Sequence, residues 1–276
     1  MSEPRFSIST ITTLPSPFED DLRIYEQAGA TGVGIWELKL GEGSLEAFEA
    51  SGLESTNAVP NVASIGSWPI GGPDDPSERV AAFCTGLQRL APFRPSAVVL
   101  LTGVAERRVI VDGLRAIAAE ARALGLTIAL EPYSRFEGER WSIVHTIRDA
   151  VALIDEAGVA EDVGVMFDVW HLWDDPVVED DIAAHIDRIA GVHVCDWREP
   201  PRGFADRVLP GAGAAGVPRL LGALERAGWD GFYDLEIFSD NGAFGSAYPD
   251  SLWDVPPDEL VRRGREAFLA CWERRR

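Results

Sequence analysis

Residues 163–171 have the sequence VGVMFDVWH, an apolar run that leads to Asp168. Three further runs have the same form: LTIALEP at 126–132, AGVHVCDW at 190–197 and GFYDLEIF at 231–238. The runs are apolar almost throughout, which is typical of strands buried on both faces of a parallel sheet. Each carries an acidic or imidazole side chain at or near its carboxyl end: Glu131, Asp168, His193 and Glu236.

Apolar runs and helical patterns alternate along the whole chain, at a spacing of roughly 30 residues. The four runs above predict strands at 127–131, 164–168, 192–195 and 232–237, and others are predicted at 6–9, 32–37, 57–65 and 97–101. Helices are predicted at 17–29, 44–50, 79–90, 107–124, 142–157, 178–189, 217–227 and 257–272. An open doubly wound sheet would alternate too, but no glycine-rich turn follows an early strand. The count of strands therefore predicts one α/β domain over residues 1–276, a single (β/α)8 TIM barrel.

The four polar residues predict a metal site at one end of this barrel. The carboxyl ends of parallel barrel strands meet at one face, where active sites lie. Three carboxylates and one imidazole suit a hard or borderline divalent ion. We expect Mn²⁺ first, with Mg²⁺, Co²⁺ and Zn²⁺ as alternatives. A single carboxylate at a strand end is more often a helix cap or an ion-pair partner, but four at the same end favour a metal. The predicted ligands are Glu131, Asp168, His193 and Glu236.

The bulk composition excludes several classes of partner. The formal net charge is -20, which repels phosphate backbones and anionic membrane surfaces, so no nucleic acid or membrane partner is expected. The three cysteines contain no CxxC pair and are too scattered for a disulfide framework. The polar N-terminus does not resemble a signal peptide, and no apolar run is long enough to span a membrane. These features predict a soluble protein of the cytoplasm.

Five short motifs lie between residues 131 and 238: EPYSRFE at 131–137, DVWH at 168–171, HVCD at 193–196, RVLPGAG at 207–213 and YDLEIF at 233–238. Together they resemble the xylose-isomerase-like β/α barrels, and most closely the ketose 3-epimerases among them. In the first motif, Ser134 stands where those epimerases have Asn. The resemblance covers residues 129–238 well and the N-terminal half in architecture only.

The resemblance implies a role for each matching residue. Glu131 and Glu236 would be metal ligands and also the acid/base pair that moves a proton next to a carbonyl, through an enediolate. His171 and an arginine would hold substrate oxygens, although His171 could instead cap a helix. Loop spacing favours Arg207 as that arginine, and proximity to His193 favours Arg198. Glu137 would hydrogen-bond near the site, or be an ordinary surface residue.

Tryptophans near the predicted strand ends complete the expected substrate site. Trp36 and Trp68 could pack against the apolar face of a sugar, although core or rim packing is the usual role of such residues. Tryptophan-rich walls would also suit a substrate larger than a free sugar. The tail of the chain around SDNGAFGSAYPDSLW, residues 239–253, differs from the epimerases and leaves the substrate open.

The sequence thus predicts a metal-dependent sugar isomerase or epimerase acting on a ketose or related polyol ketone. A lyase or dehydratase, similar to inosose dehydratases or to enzymes that eliminate from oxidised glycosides, would begin with the same enolate. The endonuclease branch of the superfamily needs more histidines than the four present here. A metal-free glycosidase or a non-enzymatic barrel subunit would be distinguished by chelation and metal-binding experiments. The resemblance also implies a homo-oligomer.

Overall fold

Parallel strands that follow one another in chain order form a closed barrel in the computed structural model, which describes residues 3–136 and 140–276. The eight barrel strands found in these ranges are β1 (Phe6–Ser9), β2 (Gly32–Trp36), β3 (Glu54–Val59), β4 (Ala97–Leu100), β5 (Ile128–Leu130), β6 (Val163–Asp168), β7 (Ile189–Val194) and β8 (Tyr233–Leu235). The barrel closes where β1 pairs with β8, and Phe6 then lies opposite Tyr233. The predicted (β/α)8 TIM barrel is therefore confirmed.

Helices connect successive strands and cover the outside of the barrel. In the described ranges they are α1 (Phe18–Gln27), α2 (Ser44–Ala50), α3 (Pro76–Leu90), α4 (Arg107–Leu124), α5 (Ile147–Ala157), α6 (Val169–Leu172), α7 (Val178–His185), α8 (Val217–Ala227) and α9 (Pro257–Glu273). Local sequence sets many of their ends. Gly125 stops α4 with a left-handed φ of 70°, which costs glycine little. The Asp75 carboxylate begins α3 by accepting from Ser77 N at 2.7 Å.

The two faces of each strand serve different purposes. Side chains alternate between faces along a strand, so residues two apart share a face. On β4, Val98 and Leu100 belong to the large core cluster that includes the helices. Ala97 and Val99 belong to a separate cluster with Met166 of β6, on the inner face of the barrel. The inner face is the one that leads to the candidate site.

Several predicted boundaries are wrong, and the largest errors lie in three regions of the chain. The third strand was expected at 57–65 but spans Glu54–Val59, and it ends there because Pro60 has no N–H for the sheet. The helix expected at 142–157 begins at Ile147, because the Thr146 side chain caps it by accepting from Asp149 N at 3.1 Å. The helix expected at 178–189 ends at His185 and is followed by a 3₁₀ turn, and β7 then starts at Ile189 rather than at 192.

Two further features concern the helices and the carboxyl end of the barrel. None of the helices in the described ranges is long and apolar enough to cross a membrane. After β7, a short antiparallel pair forms between Asp196–Trp197 and Arg207–Val208. This hairpin lies over the carboxyl end of the barrel, and it carries Arg207 into the site described next.

Candidate metal centre

The four predicted metal ligands lie at the carboxyl ends of four neighbouring strands, β5 to β8. Asp168 is the last residue of β6, His193 lies near the end of β7, and Glu131 and Glu236 follow β5 and β8 directly. Each shares the inner face with the residue two positions before it, such as Ala129 before Glu131. All four are buried, with between 0% and 6% of their surface exposed. The barrel therefore aims four ionisable groups at one point.

Distances show how closely the four groups approach. Ligand atoms of Glu131, Asp168 and His193 all lie within 4.8 Å of one another. His193 Nδ1 is 3.3 Å from Glu131 Oε1 and also 3.3 Å from Glu236 Oε2. The structure thus brings together all four residues that the sequence singled out.

Arg207 provides a fixed positive charge inside this cluster. Its Nη1 donates to Asp168 Oδ2 at 2.8 Å and to Glu236 Oε2 at 3.1 Å. The guanidinium carbon lies 4.9 Å from the ring centre of Phe238 and 5.4 Å from that of Trp170, within range of cation–π attraction. Although burial alone would lower it, the pKa of Arg207 is raised by Asp168 and other neighbouring groups, so the charge is held.

The protonation of the cluster follows from its crowded negative charge. Burial raises the pKa of Glu131 to about 7, although His193 acts to lower it. Burial would lower the pKa of His193, but the carboxylates of Glu236 and Glu131 raise it to about 10. Burial would also raise the pKa of Asp168, yet Arg207 and His171 bring it below its ordinary value. Three buried carboxylates therefore demand positive charge, which the imidazolium of His193 and Arg207 supply.

These residues fit a divalent cation. Glu236 Oε1 is buried and has no hydrogen-bond partner in the described part of the chain, so it has lone pairs to offer. The donor set of carboxylate oxygens and one imidazole nitrogen is the set that Mn²⁺, Mg²⁺ and Zn²⁺ accept. A cation at this point would replace the extra proton of His193, which must be neutral to coordinate a metal, and would supply the same positive charge. Glu131, Asp168, His193 and Glu236 are thus the residues that could hold a metal.

His171 lies behind the cluster rather than in the cavity wall. Its Nδ1 accepts from Ser134 N at 3.2 Å, so the other nitrogen, Nε2, carries the proton and lies 3.7 Å from Asp168 Oδ2. Burial lowers the pKa of His171 to about 3, which keeps the ring neutral. The alternative role of helix cap falls to Asp168, whose Oδ1 accepts from Trp170 N at 2.7 Å. The His171 ring also packs on Tyr133, with ring centres 3.9 Å apart.

A cavity of about 170 Å³ opens above the carboxylates. Glu131, His193, Arg207 and Glu236 line it, as do both predicted tryptophans, Trp36 and Trp68. The cavity is therefore the candidate substrate site, and the cluster forms part of its lining.

Two other predicted substrate-binding residues have different positions. Arg198 does not line the cavity: its side chain donates to Asp206 at 2.8 Å and pairs with Asp250 at 2.9 Å. Of the two candidate arginines, the structure thus places Arg207 in the cavity wall. Glu137 lies outside the described residues.

Sequence reasoning missed the buried Asp234, and it also missed several aromatic residues that line the cavity. Asp234 is buried on β8, where Asn57 Nδ2 donates to its Oδ2 at 3.3 Å. It precedes Glu236 by two positions, so strand periodicity could have placed it on the inner face. Phe238 lines the cavity two positions after Glu236, and Phe204 and Phe244 line it from loops that no periodic signal marks.

Comparison with known proteins gives the family context of this site. A family model described as xylose isomerase-like TIM barrel matches residues 22–271. Among curated proteins, the inosose isomerase of Halalkalibacterium halodurans is 29% identical over 136 residues, which are 48% of this chain and 46% of the relative. The matched part is thus about half of that relative's length.

Solved structures extend the likeness over the whole barrel. Protein SMc04130 from Sinorhizobium meliloti 1021 has a TM-score of 0.84 at 25% identity, covering 97% of this chain and 98% of that one. The IolI protein with a bound zinc atom has a TM-score of 0.76 at 21% identity, covering 97% of both chains. An L-ribulose 3-epimerase has a TM-score of 0.77 at 18% identity, covering 99% and 96%. The last two likenesses are of fold alone.

Proposed function

This chain belongs to the xylose isomerase-like TIM barrel family, and on that basis we propose that it is a divalent-metal-dependent sugar isomerase or epimerase. Its substrate would be a ketose or a related polyol ketone, and the reaction would pass through an enediolate. The observation that carries the proposal is the convergence of Glu131, Asp168, His193 and Glu236 beside one cavity. The partial match to an inosose isomerase supports the same class of reaction.

The proposed metal ligands are Glu131, Asp168, His193 and Glu236, and the proposed ion is Mn²⁺. When bound there, the ion would supply Lewis-acid stabilisation of negative charge on adjacent substrate oxygens. Arg207 is already fixed by Asp168 and Glu236, and its positive charge would favour the same oxygens. The site therefore has charge arranged in advance for an anionic transition state.

The proton transfers are proposed for the two glutamates that line the cavity. Glu131 and Glu236 each lie 3.3 Å from His193 Nδ1, so their carboxylates face one small volume from two strands. One carboxylate would remove the proton from the carbon next to the carbonyl, and the other would return it to the second face or the neighbouring carbon. Burial raises the pKa of Glu131 to about 7 in the metal-free protein, and a bound cation would lower it, so that the ionised carboxylate could act as the base.

Deuterium exchange combined with chelation tests this proposal. The protein, either chelated or reloaded with Mn²⁺, is incubated in D₂O with ketoses, inososes and 3-keto glycosides. We expect one carbon-bound proton to be replaced by deuterium, the skeleton to stay intact, and the reaction to need the metal. Activity that survives chelation would contradict the metal-dependent mechanism.

The mass of the product separates the proposed reaction from its nearest alternative. Isomerisation and epimerisation leave the composition unchanged apart from the deuterium. Loss of water or of an aglycone would instead identify a lyase that forms the same enolate first. The screen therefore decides between the two reactions whichever substrate proves active.

A further inference from the structure

A further buried carboxylate, Asp234 of β8, faces one ring nitrogen of His193, and the two glutamates of the candidate metal centre face the other. Asp234 stands opposite His193 of β7 in the register of these parallel strands. Its side chain is fully buried, and its Oδ2 atom lies 3.9 Å from His193 Nε2. The other ring nitrogen, Nδ1, is 3.3 Å from an oxygen of Glu131 and from one of Glu236. The imidazole thus has carboxylates at both of its nitrogens.

A neutral donor holds the Asp234 carboxylate from the opposite side of the barrel. Asn57 of β3 donates from Nδ2 to Asp234 Oδ2 at 3.3 Å. Within residues 3–136 and 140–276, the basic nitrogens that lie within 4 Å of the Asp234 oxygens belong to His193. The negative charge of Asp234 therefore acts mainly on His193.

Two glycines leave the space that this arrangement needs. A Cβ atom at Gly34 would lie 2.2 Å from Asp234 Oδ2, and one at Gly191 would lie 2.6 Å from Asn57 Oδ1. Gly191 precedes His193 by two positions on β7, so the two share the inner face of the barrel. The strands on both sides of the barrel thus leave room for the contact between Asn57 and Asp234.

The binding of a cation by an imidazole determines where the ring proton must lie. A metal ligand must be neutral, and a neutral imidazole carries its one proton on the nitrogen that does not bind the ion. Nδ1 of His193 faces Glu131 and Glu236, so the proton belongs on Nε2, beside Asp234. A carboxylate there stabilises this tautomer and makes Nδ1 a stronger donor to an ion.

We propose that Asp234, held by Asn57, is a positioning residue for the metal centre: it accepts the Nε2 proton of His193 and so presents Nδ1 to the cation. At 3.9 Å the two atoms attract each other by charge, and a small rotation of the ring would bring them within the roughly 3.2 Å of a hydrogen bond. This inference rests on the proposed function, because it assumes an ion in the site described above.

Calorimetry of ion binding at neutral pH tests this role on the full chain. Asp234→Asn keeps the shape of the side chain and removes its charge. We expect it to raise the dissociation constant of Mn²⁺ by about 10–100-fold, the usual effect of losing such a partner. Asp21→Asn is the matched control and should leave that constant unchanged, because Asp21 is a buried carboxylate on α1 whose basic partner is Lys39.

The direction of the change separates this role from a simpler one. If Asp234 were only the counter-charge of a protonated His193, its loss would make the imidazole easier to deprotonate, and Mn²⁺ would bind as tightly as before or more tightly. That result would overturn the inference and leave the metal centre standing. If the parent binds no ion, the proposed metal centre is wrong and the inference fails with it.

The position of the ring proton is observed directly by NMR of protein labelled with ¹⁵N-histidine and loaded with diamagnetic Zn²⁺. The chain has four histidines, so substituting them one at a time assigns their signals. In the parent we expect a proton on Nε2 of His193, shifted to low field by the carboxylate, and Asp234→Asn should move this signal to higher field. A proton on Nδ1 in the parent, which needs no substitution to detect, or a signal that Asp234→Asn leaves in place, would contradict the proposal.

A variant of Asn57 leaves the Asp234 charge in place and tests the support that Asn57 provides. Asn57→Ala should raise the dissociation constant of Mn²⁺ by less than Asp234→Asn does. If Asn57 acts through Asp234, adding Asn57→Ala to Asp234→Asn should weaken ion binding no further. Fully additive effects of the two substitutions would show that Asn57 does not act through Asp234.

Discussion

At the scale of single residues, Glu236 is held in the way that the proposed proton transfer would require. One of its oxygens is held by Arg207 at 3.1 Å, and the other, Oε1, is buried with no partner in the described ranges. The carboxylate is thus oriented by one atom and free at the second. Glutamine has nearly the same shape but cannot accept a proton at this position, so substitution separates chemistry from packing.

We expect Glu236→Gln to lower the rate of deuterium exchange by about 10²–10⁴-fold, the usual contribution of a general acid or base. Thermal unfolding monitored by circular dichroism should show that the variant is folded. Glu266→Gln is the matched control, because Glu266 is exposed and its partner in the structure is Arg262 on the same helix. Parent-like exchange by the Glu236→Gln protein would remove this residue from the mechanism.

Asp21 provides a pH dependence that is separate from the site. It is fully buried, contacts Lys39 and accepts from Thr13 Oγ1 at 2.7 Å. Burial raises its pKa to about 7, although Lys39 acts to lower it. Between about pH 4 and pH 7 the folded protein therefore keeps a proton that the unfolded chain has released. The contribution of Asp21 to stability is complete below pH 4 and is lost as the pH rises through 7.

We expect the free energy of unfolding of the parent to fall, relative to Asp21→Asn, by on the order of 2 kcal/mol between pH 5 and pH 7.5. Asparagine is close in shape and does not titrate, so the difference between the two proteins isolates this carboxyl group. Urea denaturation at the two pH values measures it. A parent that instead gains stability over this range relative to the variant would show that Asp21 is ionised in the folded protein below pH 5.

At the scale of elements, the inside of the barrel shows why β2 contains glycine. A Cβ atom added at Gly34 would lie 2.2 Å from Asp234 Oδ2 and 3.1 Å from the Cα of Ser9. Because the backbone of β1 is fixed by its pairing with β2, the Asp234 side chain would have to move. Its contact with Asn57 would then be lost, beneath the carboxylates of the site.

We expect Gly34→Ala to destabilise the protein by about 1–3 kcal/mol, the usual cost of overpacking a core. Gly41→Ala is the control, since a Cβ there would have no atom within 4 Å. Urea denaturation of both variants gives the comparison. Equal stability of the two would mean that the barrel interior adjusts without cost around Asp234.

Elements were predicted best where the sequence itself marks both ends. β1, α2, α4 and α8 lie at their predicted bounds. The errors arise where a side-chain contact fixes the end of an element inside a longer apolar pattern, as Thr146 does by capping α5. Such contacts form only in the folded protein, so apolar spacing alone does not predict the boundary.

The site was predictable in its centre and not in its walls. The four proposed ligands follow from strand ends, which a closed barrel must bring together. Arg207 could not be separated from Arg198, because only the short hairpin beside the barrel determines which side chain turns inward. Phe204 and Phe244 come from loops without periodicity, and their place in the cavity is a tertiary property.

At the scale of the whole molecule, a bound cation would link four neighbouring strands through ligands that are far apart along the chain. Its ligands at positions 131, 168, 193 and 236 come from consecutive strands, and the last of these strands closes the barrel against β1. The unfolded chain does not hold these groups together, so the ion would bind the folded form preferentially. Preferential binding raises stability by an amount that depends on ion concentration.

We expect Mn²⁺ to raise the melting temperature by about 5–10 °C at a hundred times its dissociation constant, and a chelator to reverse the shift. We expect Asp168→Asn to change the melting temperature even without an ion, because Asp168 accepts hydrogen bonds from Trp170 N and Arg207. The informative quantity is therefore the shift caused by the ion, which should become much smaller in this variant. Scanning fluorimetry with Mn²⁺, Mg²⁺, Co²⁺ and Zn²⁺ ranks the ions without any substrate. If no ion shifts the parent, or all shift Asp168→Asn equally, the carboxylates at the strand ends do not hold a metal.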